Sequence, residues 1–180
     1  AVDGAKRMQA LIADLLTLSR VGRTIDSFVP VDLNRALDAA THMLEDQSVA
    51  AGGGVGHSEL PVVYGDPTLL TSLFENLIGN AIKYRGEQVP LVTVTAVADR
   101  EARGWTFAVA DNGIGIDTQY AQRIFAIFQR LHVRDAYPGT GIGLALCRKI
   151  VEFHGGRIWL DTSVNSGATF RFTLPERPTT

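Results

Sequence analysis

Two asparagines and a lysine follow one stripe of a predicted helix in the segment FENLIGNAIKY, residues 74–84. Asn76, Asn80 and either Lys83 or Tyr84 recur at helical spacing, opposite an apolar face. Asparagine is a mediocre helix former, so two of them on one line favour a role beyond helix formation. A neutral amide oxygen suits a hydrated Mg2+ beside phosphates, and a lysine supplies positive charge. A solvated helix face is the competing interpretation.

Asp111 ends a second predicted element, a buried-looking strand, and the turn Asn112-Gly113-Ile114-Gly115 follows at once. A carboxylate there can accept a hydrogen bond from an exocyclic amine, and the glycines let a flat ring approach the backbone. A simple Asn-Gly turn is the alternative.

The third group is the segment PGTGIGL, residues 138–144, directly before a predicted helix. Glycines at alternate positions expose backbone amides, which can face phosphate oxygens at a helix N-terminus. The spacing is not that of a dinucleotide-binding loop. A glycine hinge without a ligand is the alternative.

A segment rich in phenylalanine and arginine, residues 123–139, connects the second and third groups. Phe125 and Phe128 could anchor it to the domain, although ordinary core packing is the favoured interpretation of these two residues taken alone. Arg130 would then lie on a mobile lid that closes over a triphosphate. His132 and His154 have no carboxylate at ligand spacing, so we expect surface or capping roles for them and no metal.

The elements that position these groups follow from periodicity and capping residues. The expected helices are residues 8–19 with an apolar seam and an end near Gly22, 33–49 capped by Asp32, a helix opened by Asp66 and Pro67, 118–125 and 142–154. The expected strands are residues 28–32, 61–64, 91–98 and 105–110, and a hairpin of 157–161 with 169–174. The glycines at 52–56 predict a flexible hairpin or loop. This order implies one sheet with helices on one face.

The composition is that of a folded domain, with 46% hydrophobic and 20% charged residues. A net charge of -2 gives no reason to expect a nucleic acid partner. Cys147 is the only cysteine, which excludes an intramolecular disulfide and a zinc site built on cysteine pairs. The single cysteine fits a reducing environment, so a cytoplasmic setting is expected. Apolar stretches fall short of the roughly 20 residues of a membrane helix. The chain opens in a predicted helix, as a fragment of a longer protein would.

Four segments resemble, in order, the asparagine, first glycine, phenylalanine and second glycine boxes of sensor histidine kinases. They read NLIGNAIKY, DNGIGID, RIFAIFQRLH and GTGIGLALCRKIVEFHGGRI. The resemblance covers residues 66–175, and residues 130–159 are especially similar to the phytochrome-like branch. Residues 1–23 are similar to the second helix of the dimerisation and histidine-phosphotransfer hairpin of that family.

The resemblance implies the Bergerat ATP-binding fold. This is a two-layer α/β sandwich with a mixed, mainly antiparallel sheet and about three helices on one face, here preceded by an N-terminal helix. The resemblance also divides the chain into two parts. Residues 1–24 are the remaining helix of the hairpin, and residues 25–180 are the catalytic domain.

The resemblance also implies ATP and Mg2+ as cofactors and a role for each matching residue. Asp111 would contact the adenine amino group, and Tyr84 would lie by the base or ribose. Asn80 would hold Mg2+. Asn76, Lys83 and Arg130 would act on the phosphates, with Arg130 a candidate for the terminal one. The remaining residues implied at the ATP site are Gly113, Gly115, Ile116, Gly139, Thr140, Gly141, Gly143 and Leu144.

The implied partners are a response regulator receiver domain and a phosphoacceptor helix of the same protein or its dimer mate, with a homodimeric full-length protein. In the family the acceptor histidine lies on the first hairpin helix, followed by an acidic residue and later a proline. None of the four histidines has that setting; they are His42, His57, His132 and His154. We therefore expect a kinase domain without its own substrate.

Gyrase, mismatch-repair and chaperone ATPases share this pocket design, so ATP hydrolysis is the main alternative activity. Those families carry a glutamate four residues before the metal-binding asparagine, where it activates water. That position is Asn76 here, and helical geometry predicts that Glu75 points about 100° away. The pattern favours phosphoryl transfer to histidine. A degenerate module that binds a partner without phosphorylating it is the non-enzyme alternative.

Overall fold

The structure, a computed structural model, describes residues 2–21, 28–100, 103–129 and 140–177. Its helices are α1 (Val2–Arg20), α2 (Leu33–Met43), α3 (Glu45–Ala51), α4 (Pro67–Lys83) and α5 (Gly143–Phe153). Its strands are β1 (Val29–Asp32), β2 (Gly54–His57), β3 (Val62–Gly65), β4 (Leu91–Asp99), β5 (Gly104–Asp111), β6 (Ile158–Leu160) and β7 (Thr169–Pro175). The predicted domain division at residues 24 and 25, and the predicted helix end near Gly22, lie outside the described residues.

Aspartate side chains begin two of the helices, as the capping pattern predicts. Asp32 Oδ1 accepts from the N–H of Asn34 at 2.9 Å, at the start of α2. Asp66 Oδ1 accepts from the N–H groups of Thr68 and Leu69 at 2.9 and 3.1 Å, at the start of α4. These bonds satisfy donors that have no partner inside the helix.

The helix predicted over residues 33–49 is two helices, so that prediction is wrong at Leu44. The backbone of Leu44 leaves the helical region, with φ −99° and ψ 4°, while its side chain stays in the core. Helix α2 buries an apolar face, whereas no residue of α3 is buried. The break separates a helix that belongs to the core from one that lies at the surface.

Five strands form the main sheet in the order β2-β4-β5-β7-β6, and β1 pairs antiparallel with β3 in a separate two-stranded sheet. All pairs of the main sheet are antiparallel except β2 with β4. The register places Ala110 beside Thr169, so the end of β5 lies next to the start of β7. The predicted strands and the 157–161 with 169–174 hairpin are confirmed. The prediction of one sheet is wrong, because within the described ranges β1 and β3 pair only with each other.

Strand β2 corrects the prediction of a flexible hairpin or loop at the glycines. Gly52 ends α3 in the left-handed conformation, with φ 67°. The chain then pairs in parallel with β4, from Gly54 beside Leu91 to His57 beside Val94. Sequence periodicity misses this edge strand because its pairing with β4, more than 30 residues along the chain, stabilises it rather than a pattern in its own side chains.

The core lies between the main sheet and helices α2, α4 and α5, which confirms the two-layer α/β fold. The predicted apolar face of α4 is buried: Leu70, Phe74, Leu77, Ile78 and Ala81. From the sheet, Phe107 stacks on Phe172 with ring centroids 4.8 Å apart.

Helix α1 confirms the predicted N-terminal helix and leaves much of its apolar seam exposed. Leu18 packs against the core and Val21, just after the helix, is buried. Met8, Ile12 and Leu15 are 62%, 52% and 45% exposed. Among the described residues no helix is long and apolar enough to cross a membrane.

The segment predicted as a helix over residues 118–125 forms two single 3-10 turns, Thr118–Tyr120 and Arg123–Phe125. Phe125 is buried and its ring meets that of Phe170 edge-on. Phe128 is 64% exposed and has a positive φ of 63°, so the prediction that it anchors the segment is wrong.

His154 is buried and is the C-cap residue of α5, so of its two predicted roles, surface or capping, the capping role is confirmed. Its ring stacks on that of Phe28, with centroids 4.7 Å apart.

Candidate functional site

The carboxylate of Asp111, at the end of β5, is held by backbone amides from two separate turns. Its Oδ1 accepts from the N–H of Gly113 at 2.8 Å and from the N–H of Ala168 at 3.0 Å. Within the described part of the chain, Oδ2 has no hydrogen-bond partner. Burial raises the pKa of Asp111, and the two backbone hydrogen bonds oppose that shift. The site thus offers one fixed acceptor oxygen in a partly buried setting.

The turn before β7 reaches Asp111 because residue 167 is a glycine. Gly167 has a φ of 66°, and a Cβ there would collide with the carbonyl oxygen of Asp111. The N–H of Asp111 donates to the carbonyl of Ala168 at 2.9 Å. Gly167 is therefore a structural requirement of the site, since any side chain would push Ala168 away from the carboxylate.

A small, mainly apolar cavity begins at Asp111. Ile116, Ile124, Leu144 and Phe170 supply apolar walls. Its other lining residues are Asn80, Tyr84, Gly115, Gln129 and Ala168. An apolar slot with a carboxylate in its wall suits a flat heteroaromatic ring that carries an amino group.

The small cavity opens into a larger and more polar one of about 830 Å³. Five residues line both cavities: Asn80, Tyr84, Ile124, Gln129 and Leu144. The larger cavity continues past Asn76 and Lys83 to the residues before and at the start of α5, which are Thr140, Gly141 and Gly143. A ligand with its ring at Asp111 could therefore extend a polar tail towards α5.

Asn76 and Lys83 line the larger cavity but have partners of their own. The Nδ2 of Asn76 donates to the carbonyl of Ser72 at 2.8 Å. Its Oδ1 lies against Gly143, where a Cβ would come within 2.7 Å, so α4 and α5 approach closely only because that residue is glycine. Lys83 Nζ lies 4.4 Å from the ring centroid of Tyr84.

Most residues predicted for the site meet around the two cavities, while Gly113 supports Asp111 and is not part of either lining. Arg130 and Gly139 lie outside the described residues. Residues that the sequence did not single out for the site also line the cavities: Asp14, Glu75, Ile124, Gln129, Ala168 and Phe170. Ala168 and Phe170 could have been suspected from the Gly-Ala pair before a buried strand.

Glu75 corrects one expectation. Helical spacing predicts that it points away from the site, but Glu75 and Asn76 both line the larger cavity. Burial, followed by the negative charge of Asp14, raises the pKa of its carboxyl.

Residues 65–178 match the sequence family described as histidine kinase-, DNA gyrase B-, and HSP90-like ATPases, and the chain belongs to that family. Within it, the chain is the ATP-binding catalytic domain of a sensor histidine kinase, as its relatives indicate.

Cyanobacterial phytochrome A of Nostoc sp. is 47% identical over 97% of this chain and 23% of its own length. Phytochrome-like protein Cph1 of Synechocystis sp. is 43% identical over the same shares. Adaptive-response sensory kinase SasA of Trichormus variabilis is 35% identical over 97% of this chain and 44% of its own length. The chain thus spans about a quarter of the phytochromes and under half of SasA.

Solved histidine kinase structures support the same assignment. Full-length ShkA in complex with AMPPNP aligns with a TM-score of 0.76 and 27% identity, over 93% of this chain and 35% of that one. The catalytic domain of histidine kinase ThkA aligns with a TM-score of 0.71 and 27% identity, over 84% of this chain and 97% of that one.

Proposed function

We propose that this domain binds Mg-ATP and transfers its γ-phosphoryl group to a histidine on a dimerisation helix outside the described chain, in a two-component signalling pathway. The observation that carries the proposal is the arrangement around Asp111. One carboxylate oxygen is fixed by two backbone amides, at the end of an apolar slot that opens towards Asn76, Asn80, Lys83 and α5. A structural relative, ShkA, was determined with AMPPNP.

The cavity walls support a division of roles along the nucleotide. Asp111 Oδ2 would accept from the adenine amino group, and Tyr84 would lie by the base or ribose. The polar part would lie at Asn76, Lys83 and the start of α5, where backbone amides and the positive end of the helix dipole favour phosphate. Lys83 and Arg130 would neutralise charge on the transferring group. The other residues proposed at the nucleotide are Gly113, Gly115, Ile116, Gly139, Thr140, Gly141, Gly143 and Leu144.

Asn80 is the residue that we propose for Mg2+. It lines both cavities, at the junction where phosphates would begin. A neutral amide oxygen fits this ion, because Mg2+ usually keeps several waters and binds phosphates with only one or two protein ligands. When bound, the ion neutralises charge on the phosphates.

The phosphoacceptor is proposed to lie elsewhere in the full-length protein. His154 is buried with both ring nitrogens in hydrogen bonds, to Ile150 and Asp66. His42 and His57 lie on α2 and β2, outside the cavity lining. His132 is outside the described residues.

The proposed partners are a dimer mate that covers the exposed seam of α1 and a response regulator receiver domain that takes the phosphoryl group. The structural neighbour ThkA has been solved in complex with the response regulator protein TrrA. We propose a cytoplasmic location, where ATP is available.

ATP hydrolysis is a second candidate activity, favoured by Glu75 in the cavity wall. A carboxylate near the phosphates could accept a proton from water, which Asn76 cannot do. Steady-state turnover of ATP by the isolated chain separates the two activities. Slow turnover supports transfer, whereas rapid turnover that Glu75→Gln abolishes supports hydrolysis.

The decisive experiment uses the full-length protein and γ-labelled ATP. Acid-labile, alkali-stable phosphate should form on the protein, and Asn80→Ala should reduce it at least tenfold and remove the Mg2+ dependence of ATP binding. Asn112→Ala is the matched control, because Asn112 bonds Val89 and Leu91 instead of lining the cavities. Normal Mg2+-dependent binding and transfer in Asn80→Ala would overturn the metal assignment. Absence of phosphohistidine in the parent protein would overturn the proposed activity.

A further inference from the structure

Asp14 of α1 contacts Thr140, which lies three residues before the start of α5. Its Oδ2 accepts a hydrogen bond of 2.7 Å from the hydroxyl of Thr140, 126 residues further along the chain. The same hydroxyl oxygen accepts from the backbone N–H of Ile142 at 3.2 Å. Thr140 is therefore held between α1 and the start of α5.

This contact lies in the wall of the larger cavity. Ala13, Asp14 and Thr17 of α1 line it together with Asn76 and Gly143. The charge of Asp14 also reaches the neighbouring wall, since it contributes to the raised pKa of Glu75 after burial, the larger cause. Asp14 therefore places a negative charge on the side of the cavity formed by α1, in contact with Thr140 just before α5.

An acidic wall is unfavourable at the phosphate end of a nucleotide site. The proposed function, on which this inference rests, places the base at Asp111 and the phosphates in the larger cavity. With α1 in this position, the Thr140 hydroxyl hydrogen is already donated to Asp14, and the carboxylate repels phosphate oxygens. ATP is affected more than ADP, because its additional phosphate brings more negative charge into the cavity.

We propose that Asp14 is a specificity-determining residue of the nucleotide site, which weakens triphosphate binding relative to diphosphate binding while α1 lies against α5. The position of α1 and the presence of a triphosphate are then coupled, and the coupling acts in both directions. ATP favours release of Thr140 from Asp14, and docking of α1 favours release of ATP.

Calorimetric titration of the chain with Mg-ATP, Mg-ADP and adenosine tests this role. Asp14→Asn removes the charge but keeps an acceptor for Thr140. We expect it to lower the ratio of the ATP to the ADP dissociation constant by about three- to tenfold, as expected for one partly screened charge, and to leave adenosine binding unchanged. Asp14→Glu keeps the charge and should keep the parent ratio. Asp38→Asn, at an exposed position of α2, is the matched control.

The outcomes separate this inference from the proposed function. An unchanged ratio in Asp14→Asn, or equal gains for all three ligands, overturns the role of Asp14 while nucleotide binding stands. If the parent chain binds none of Mg-ATP, Mg-ADP and adenosine, the proposed function and this inference are overturned together. Amide hydrogen exchange supplies a second readout, since Mg-ATP should increase exchange in α1 of the parent more than Mg-ADP does. Equal exchange with both nucleotides contradicts the coupling.

Discussion

At the scale of single residues, Asp111 shows how the backbone prepares a side chain for recognition. Two backbone amides fix Oδ1, so the orientation of the carboxylate is set before a ligand binds. Burial raises its pKa, because the charged form is poorly solvated there. A donor that reaches Oδ2 relieves part of that cost. The environment therefore favours a ligand that carries an amino group.

Replacement of Asp111 by asparagine should weaken ATP binding about ten- to a hundredfold, which corresponds to the loss of a hydrogen bond to a charged group. The amide has only one acceptor oxygen, which cannot serve the two backbone N–H groups and the adenine amine together. Isothermal titration calorimetry measures the change. Asp117→Asn provides the control, since Asp117 caps an exposed 3-10 turn and asparagine also caps well. An unaltered affinity in Asp111→Asn would refute the assignment.

The candidate site could be predicted from the sequence only where a residue's own neighbours carry the signal. Asp111 followed by alternating glycines is a local pattern, and so are the asparagines of α4. Ala168 could not be paired with Asp111 in this way, because 57 residues separate them and only the β5–β7 register brings them together. Asp14 was missed for the same reason, since its partner is in a distant element.

At the scale of elements, periodicity and capping predicted α4, α5 and the antiparallel strands well. The signals for these elements lie in their own residues and immediate neighbours: an apolar face, or an aspartate before the first turn. The errors lie where tertiary contacts determine the backbone. Leu44 interrupts a helix and is buried in the core, and β2 is stabilised by its pairing with β4. Local propensity has no information about either contact.

His154 joins two of these elements. Its Nδ1 lies 2.7 Å from the carbonyl of Ile150 in α5, and its Nε2 accepts from the N–H of Asp66, 3.0 Å away, at the start of α4. The carbonyl requires a proton on Nδ1 and the amide requires a lone pair on Nε2, so this arrangement holds the neutral ring. Burial lowers the pKa of His154 below its ordinary value.

This linkage predicts that stability falls in mild acid. The unfolded chain takes up a proton near pH 6.5, whereas the folded chain does so only at its lowered pKa. The contribution of neutral His154 to the free energy of unfolding is therefore complete above about pH 6.5. It is lost as the pH falls towards the pKa of His154 in the folded chain, by at most about 1.4 kcal/mol per pH unit. Urea unfolding between pH 7 and pH 5 measures the slope.

His154→Gln should flatten that slope, because glutamine keeps an acceptor for Asp66 but does not titrate. His57→Gln is the control, because it makes the same substitution at an exposed position. Identical slopes in the parent and in His154→Gln would show that another group is responsible.

At the scale of the whole molecule, the proposed nucleotide site is assembled from most of the chain. Its walls come from α4, the end of β5, the start of α5 and the start of β7, with α1 on the phosphate side. No subset of these elements forms both cavities. A ligand that binds there stabilises only the folded arrangement, so binding and global stability are linked.

Mg-ATP at about a hundred times its dissociation constant should add about 2.7 kcal/mol to the free energy of unfolding. For a domain of this size, that raises the Tm by roughly 5 to 10 °C, which differential scanning calorimetry resolves. Mg-GTP at the same concentration should raise it less, because guanine presents a carbonyl oxygen where adenine has its amino group, and Asp111 would repel it. Asp111→Asn should reduce the difference between the Tm increases that Mg-ATP and Mg-GTP produce. Equal Tm values with and without either nucleotide would instead identify a degenerate module, in which the cavities persist without a nucleotide-binding role.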